Sequence, residues 1–203
     1  MVGVALALGS TIPPAELARL ACQIEPSDSM MFASLTMLAY RGSARYRELG
    51  PAPALPLLLL DAGPAIDTLS YNARLDLSAV RRLAPTTQTA LTWLEQGLSS
   101  HEVEAIGAAA TLSALSYQAI NPNPLIDQAA KWATQTGAAG LVRAHSGSVV
   151  GLLYPAQTEL AGYARWLSSR FTGRLWPTRL TRGSYRLVDH QPCSQALEVG
   201  SVL

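Results

Sequence analysis

The chain has 203 residues, 49% of them apolar and 14% charged, with a formal net charge of +1 at neutral pH. That length suffices to bury a substantial core. The balanced charge excludes both the basic footprint of a nucleic-acid binder and a polybasic membrane patch. The strongest apolar runs, Val4–Leu8 and Leu55–Leu60, are far shorter than a bilayer span, and no basic segment precedes the first, so neither a membrane helix nor a secretory leader is expected. Cys22 and Cys193 lie far apart without metal spacing, as in a reduced, cytoplasmic protein. Lys131 is the single lysine and sits inside a helical pattern, so no phosphate-cradling GxxxxGK[ST] loop is present.

In chain order, VGVALALGS reads as the close of a helix stopped by Gly9. From Pro13, PPAELARLACQIE places Leu17, Leu20, Ala21 and Ile24 at helical spacing, with prolines at the start, where their missing N–H matters least. EPSDSMMF follows. Pro26 ends the helix, and the apolar MMF predicts a second helix over Met30–Tyr40, which puts Asp28, framed by Ser27 and Ser29, at a helix junction. The stretch 41–56 is rich in Arg, Gly and Pro, has no period and reads as a connecting loop holding a boundary. Leu55–Asp61 is a short apolar run that predicts a strand buried on both faces, delivering Asp61, Gly63, Asp67 and Thr68 to one strand end.

Helices are expected near Thr87–Gly97, Ser100–Tyr117 and Pro124–Thr136. The small-residue interior AIGAAATLSAL of the second permits close packing, and the turn-forming NPNP lies at Asn121–Pro124. Gly140–Ala144 and Ser148–Tyr154 read as two strands joined by a tight turn at His145, Ser146 and Gly147. A helix over Gln157–Phe171 and a strand within Gly173–Leu187 complete the pattern, and the weakly patterned tail, residues 189–203, is expected to be loose. From Leu55 onward the order is the β-α-β-β-α-β of a split-βαβ, ferredoxin-like sandwich with extra helices in the first crossover, so the fold class is α+β.

Three segments together, LARLACQIEPSDSMMF, LLLLDAGPAIDTLSYN, and AATLSAL followed by GLVRAHSGSVVGLL, resemble the GHMP superfamily of small-molecule kinases, in particular its L-threonine kinase branch, which serves cobalamin assembly. The resemblance spans roughly residues 3 to 155. It implies ATP and Mg²⁺ as cofactors, a hydroxyl-bearing amino acid as substrate, and a division into residues 1–50 as the remnant of an N-terminal domain and 51–188 as a ferredoxin-like C-terminal domain. It also implies that the family's phosphate-binding loop is missing from this chain, which is then a poor kinase alone, and that a homo-oligomer or a second chain can supply the missing half. By the same resemblance Asp28 faces the acceptor hydroxyl as the catalytic carboxylate, Glu25 reaches Mg²⁺, and the turn His145-Ser146-Gly147-Ser148 lies beside the nucleotide. Ser27, Ser29, Asp61, Asp67 and Thr68 would contact the substrate.

Each residue also has a plainer reading. Ser-Asp-Ser suits a helix cap, Glu25 a solvated helix-end acid, and Asp61 and Asp67 strand-end turns beside Gly and Pro. His145 suits a solvated or hydrogen-bonded turn residue. Trp93, Trp132, Trp166 and Trp176 sit at helix or strand positions and read as core. The rival function is a non-catalytic amino-acid-binding or oligomerisation module on the same ferredoxin-like fold.

Overall fold

The computed structural model describes residue 9 and residues 12–24, 26–41, 44–63 and 66–181. The helix expected before Gly9, the acid Glu25 and the tail from 189 lie outside the described residues. Helix α1 spans Pro14–Ile24 and buries Leu17 and Ala18; of the other residues in the expected apolar spacing, Leu20 and Ala21 are half-buried and Ile24 is 71% exposed.

The helix expected over Met30–Tyr40 does not form. In its place is a turn followed by strand β1, Leu35–Ala39, paired antiparallel with β2, Arg45–Gly50, inside the stretch expected as loop. The cause is a side-chain period of two. Half-buried Leu38 alternates with exposed Met37 and Ala39, while the side chains of Arg45 to Glu48 stay exposed along an open ladder. Phe32 is buried and its ring lies tilted against that of Tyr46 with centroids 4.6 Å apart, while Met30 stays 79% exposed, so it is Phe32 of MMF that packs on the hairpin and no helix opens there. Asp28 consequently lies in irregular chain between α1 and a turn, not at a helix N-terminus.

A second, four-stranded sheet contains β3 (Pro56–Asp61), β4 (Gly140–Arg143), β5 (Val149–Leu153) and β6 (Arg174–Arg179) in the order β4-β5-β3-β6, every neighbour antiparallel. This is the expected split-βαβ order. Leu58 and Leu60 of central β3 join Leu141, Val150 and Leu152 under Ile126, Trp132 and Leu167, whereas Leu57 joins Leu55, Ile106 and Leu153. Alternate leucines thus enter two different clusters, and the strand is buried on both sides. Each such leucine stabilises the fold by about 1.5–3 kcal/mol relative to exposure.

Seven helices are described. Between β3 and β4 lie α2 (Thr68–Arg74), α3 (Leu77–Arg82), α4 (Ala84–Ser100), α5 (Val103–Ser116) and α6 (Pro124–Thr136), with a 3₁₀ turn at Tyr117–Ala119. Helix α7, Leu160–Ser168, is shorter than the expected Gln157–Phe171. The short helices α2 and α3 carry weak periodicity and depend on caps: Asp67 accepts from the N–H of Leu69 and Ser70, and Asp76 from that of Ser78. His101 turns the chain between α4 and α5 in a left-handed conformation, φ 60°. The small residues of α5 do permit close packing. Gly107 lies against Gly140 so closely that a Cβ on either would run into the other's backbone, and the Leu141 N–H donates to Thr111 Oγ1 at 2.9 Å. Among the described residues no helix is long and apolar enough to cross a membrane.

Candidate active site

Five separate stretches of chain meet around a cavity of about 430 Å³. Pro26, Ser27 and Asp28 form one wall after α1; Thr68, Tyr71 and Asn72 of α2 form another; Tyr117 closes the floor; and Arg143 to Ser146 enter from the end of β4. Tyr40, at the end of β1, completes the lining. Asn72 ties the hairpin to α2, since its Oδ1 accepts from the Tyr40 hydroxyl at 2.9 Å and from Arg41 Nη2 at 3.2 Å. Its Nδ2 donates to the Thr68 carbonyl at 2.8 Å.

The floor is an aromatic and cationic stack. The Tyr71 and Tyr117 hydroxyls meet at 2.7 Å, the Arg143 guanidinium lies 5.2 Å from the Tyr117 ring centroid, and the His145 ring sits 4.4 Å from the same ring. Arg143 is fixed by Nη1 donating to Gln118 Oε1 at 2.8 Å and Nη2 donating to the Asn121 carbonyl at 2.9 Å. Burial pushes the Tyr117 phenol well above its ordinary range, helped by the Tyr71 hydrogen bond. Burial also lowers Arg143. His145 keeps part of its side chain in solvent, yet desolvation by its neighbours and the charge of Arg143 lower it below the ordinary imidazole value, against an opposing pull from Asp28. The cavity thus holds one exposed carboxylate, one guanidinium and an imidazole that is neutral at pH 7.

The expected site residues divide. Asp28, Ser27, Thr68, His145 and Ser146 line this cavity together. Asp28 also borders an adjoining recess with Ser29, Met30 and Phe32. Asp61, Asp67, Gly147 and Ser148 are not among the lining residues. Asp61, 8% exposed, accepts from Ser148 Oγ at 2.5 Å and the Gly63 N–H at 3.3 Å on Oδ1, and from Arg174 Nη2 at 3.0 Å on Oδ2. The Ser148 hydrogen bond, then those of Gly63 and Arg174, hold its carboxyl below the usual carboxylate range. Asp67 uses its oxygens as the α2 cap. Among the described residues no three His, Cys, Asp or Glu side chains are grouped as a metal site would require. Sequence reasoning missed Tyr40, Tyr71, Asn72, Tyr117 and Arg143. A cap pattern, Asp67 followed by Ser70, was the available signal for α2 and hence for Tyr71 and Asn72.

No protein-family model matches the chain. Two curated relatives are L-threonine kinases. That of Salmonella typhimurium is 30% identical over 171 residues, 84% of this chain and 57% of the relative, and that of Citrobacter freundii is 29% identical over 160 residues, 79% and 56%. The chain therefore spans a little over half the length of the curated relatives it matches. Among solved structures, homoserine kinase from Cytophaga hutchinsonii superposes with a TM-score of 0.61 at 14% identity, covering 89% of this chain and 62% of that one. MDDEF in complex with MVAPP, AMPPCP and magnesium gives 0.61 at 17%, covering 88% and 62%.

Proposed function

We propose that this chain, a GHMP-family, L-threonine kinase-like protein, holds in its cavity the acceptor end of a phosphoryl-transfer site. The hydroxyl of a small amino acid, L-threonine first, receives the γ-phosphoryl group of ATP there. The observation that carries this reading is the convergence of Asp28, Thr68, His145 and Ser146 on one cavity from three distant stretches of chain. A cavity with both signs of charge suits a zwitterion. Asp28 can accept from the ammonium or the hydroxyl, and the Arg143 guanidinium supplies a positive field for the carboxylate.

As the hydroxyl oxygen bonds to the γ-phosphorus and the bond to the β-bridging oxygen breaks, Asp28 accepts the hydroxyl proton and passes it to solvent, ADP being the leaving group. Neutral His145 offers one donor and one acceptor nitrogen without adding charge, and the Ser27, Thr68 and Ser146 hydroxyls can orient the substrate. ATP with Mg²⁺ supplies the phosphoryl group and neutralises its charge. Mg²⁺ bound largely by phosphate and water needs one or two carboxylates, a need that Glu25, outside the described residues, would meet while Asp28 stays free for the hydroxyl proton. By the chain's resemblance to the L-threonine kinase branch, its proposed role extends to a cytoplasmic one in which O-phospho-L-threonine serves cobalamin assembly.

Incubation with ATP, Mg²⁺ and L-threonine, followed by ³¹P NMR and by calorimetric titration of threonine, tests the reading. Wild type is expected to bind threonine and to form O-phospho-L-threonine slowly, as a poor kinase alone, and Asp28→Asn to lower that rate about 10²–10⁴-fold, the usual contribution of a positioned proton acceptor. Absence of both binding and product overturns it.

A further inference from the structure

The Asn121-Pro122-Asn123-Pro124 segment, between the 3₁₀ turn and α6, grips the turn joining β4 to β5 at both of its ends. Asn121 Nδ2 donates to the His145 carbonyl at 2.9 Å, and Asn123 Nδ2 to the Ser148 carbonyl at 3.3 Å. The first and last carbonyls of His145-Ser146-Gly147-Ser148 are therefore taken by side chains two residues apart. The two prolines explain the spacing. A residue before proline is pushed toward extended backbone, as Asn123 is at φ −129°, ψ 110°, and in extended chain residues i and i+2 face the same side.

A third grip comes from β3, through the Asp61 carboxylate on the Ser148 hydroxyl. Gly63 is part of it: a Cβ there would stand 2.5 Å from that of Ser148, so only glycine lets the β3 end approach the turn. Arg143 returns the contact by donating to the Asn121 carbonyl.

We infer that Asn121 and Asn123, with Asp61, are positioning residues that hold His145 and Ser146 in the cavity. Its consequence for threonine rests on the proposed acceptor site; the clamp itself does not.

Asn123 also caps α6, its Oδ1 accepting from the Leu125 N–H at 3.0 Å, so an alanine there would confuse two roles. Asn123→Ser keeps a cap acceptor, adds no charge and removes the amide donor to Ser148. Asn121→Ala touches no cap. Tyr154→Phe, which breaks the buried 2.8 Å contact with Thr136 away from the cavity, serves as a control for stability loss alone. Three readouts apply to the intact chain: the His145 ring titration by NMR, assigned by its loss in His145→Gln; amide exchange at residues 146–148; and L-threonine titration.

In both asparagine variants the His145 titration is expected to return toward about 6.5, exchange to quicken roughly tenfold, and threonine to bind about tenfold more weakly. Tyr154→Phe is expected to melt earlier and change none of the three. Unaltered titration and exchange in Asn121→Ala and Asn123→Ser overturn the clamp. If both move although wild type binds no threonine, the clamp stands and the acceptor-site reading falls.

Discussion

His145 is where the local electrostatics make a measurable demand. Its ring lies against Tyr117, the Arg143 guanidinium opposes its protonation, and Asp28 favours it, with burial deciding the net downward shift. The unfolded chain takes up a proton near pH 6.5, before the folded chain does, so acidification favours unfolding. Thermal melts between pH 7 and 5.5 should therefore show wild type losing more stability than His145→Gln; parallel curves would refute the lowered imidazole. Half of this site was legible in the sequence and half was not, for a physical reason. Asp28 and the His145 turn stand at chain breaks marked by Pro, Ser and Gly, whose local chemistry is distinctive. Tyr71, Asn72, Tyr117 and Arg143 occupy ordinary helix and strand positions. Their roles arise from contacts such as Tyr71 to Tyr117 that no local pattern encodes.

At the scale of elements, periodicity succeeded where one face is buried over several turns and failed where the side-chain period was short. Helix α6 matches its expected bounds because Asn123 caps it, Gly137 ends it in a left-handed conformation, and Leu125, Ile126, Ala129 and Trp132 lie on its inner face. The β1–β2 hairpin was missed because its five and six residues hold too few alternations to outweigh the apolar MMF start, and half of its second strand is charged. Contact between α5 and the sheet leads to a paired prediction. Gly107→Ala pushes a methyl into the backbone at Ala139 and Gly140 and should cost about 1–3 kcal/mol or more, as overpacking does. Gly162→Ala, at an exposed position of α7 with no atom within 4 Å of the new Cβ, should instead stabilise by about 0.5–1 kcal/mol through helix propensity. Chemical denaturation measures both, and equal effects would contradict the tight α5–β4 approach.

The whole molecule encloses the cavity by closing sequence-distant pieces onto one another: the segment after α1, the hairpin end at Tyr40, helix α2, and the ends of the 3₁₀ turn and β4. A ligand that bridges them binds the folded chain alone and stabilises it by RT ln(1 + [L]/Kd), about 2.7 kcal/mol at a hundredfold excess over Kd. For a chain of this length that corresponds to roughly 5–10 °C in Tm. L-Threonine is expected to produce such a shift without any nucleotide. L-2-Aminobutyrate, which has the same carbon skeleton but lacks the hydroxyl, should produce much less, because a polar site left without its partner rejects the analogue. The gap between the two ligands should narrow in Asp28→Asn, since that side chain is the one proposed to meet the hydroxyl. Equal shifts from both ligands in wild type would place hydroxyl recognition elsewhere, and no shift from either would remove the amino-acid site from this cavity altogether.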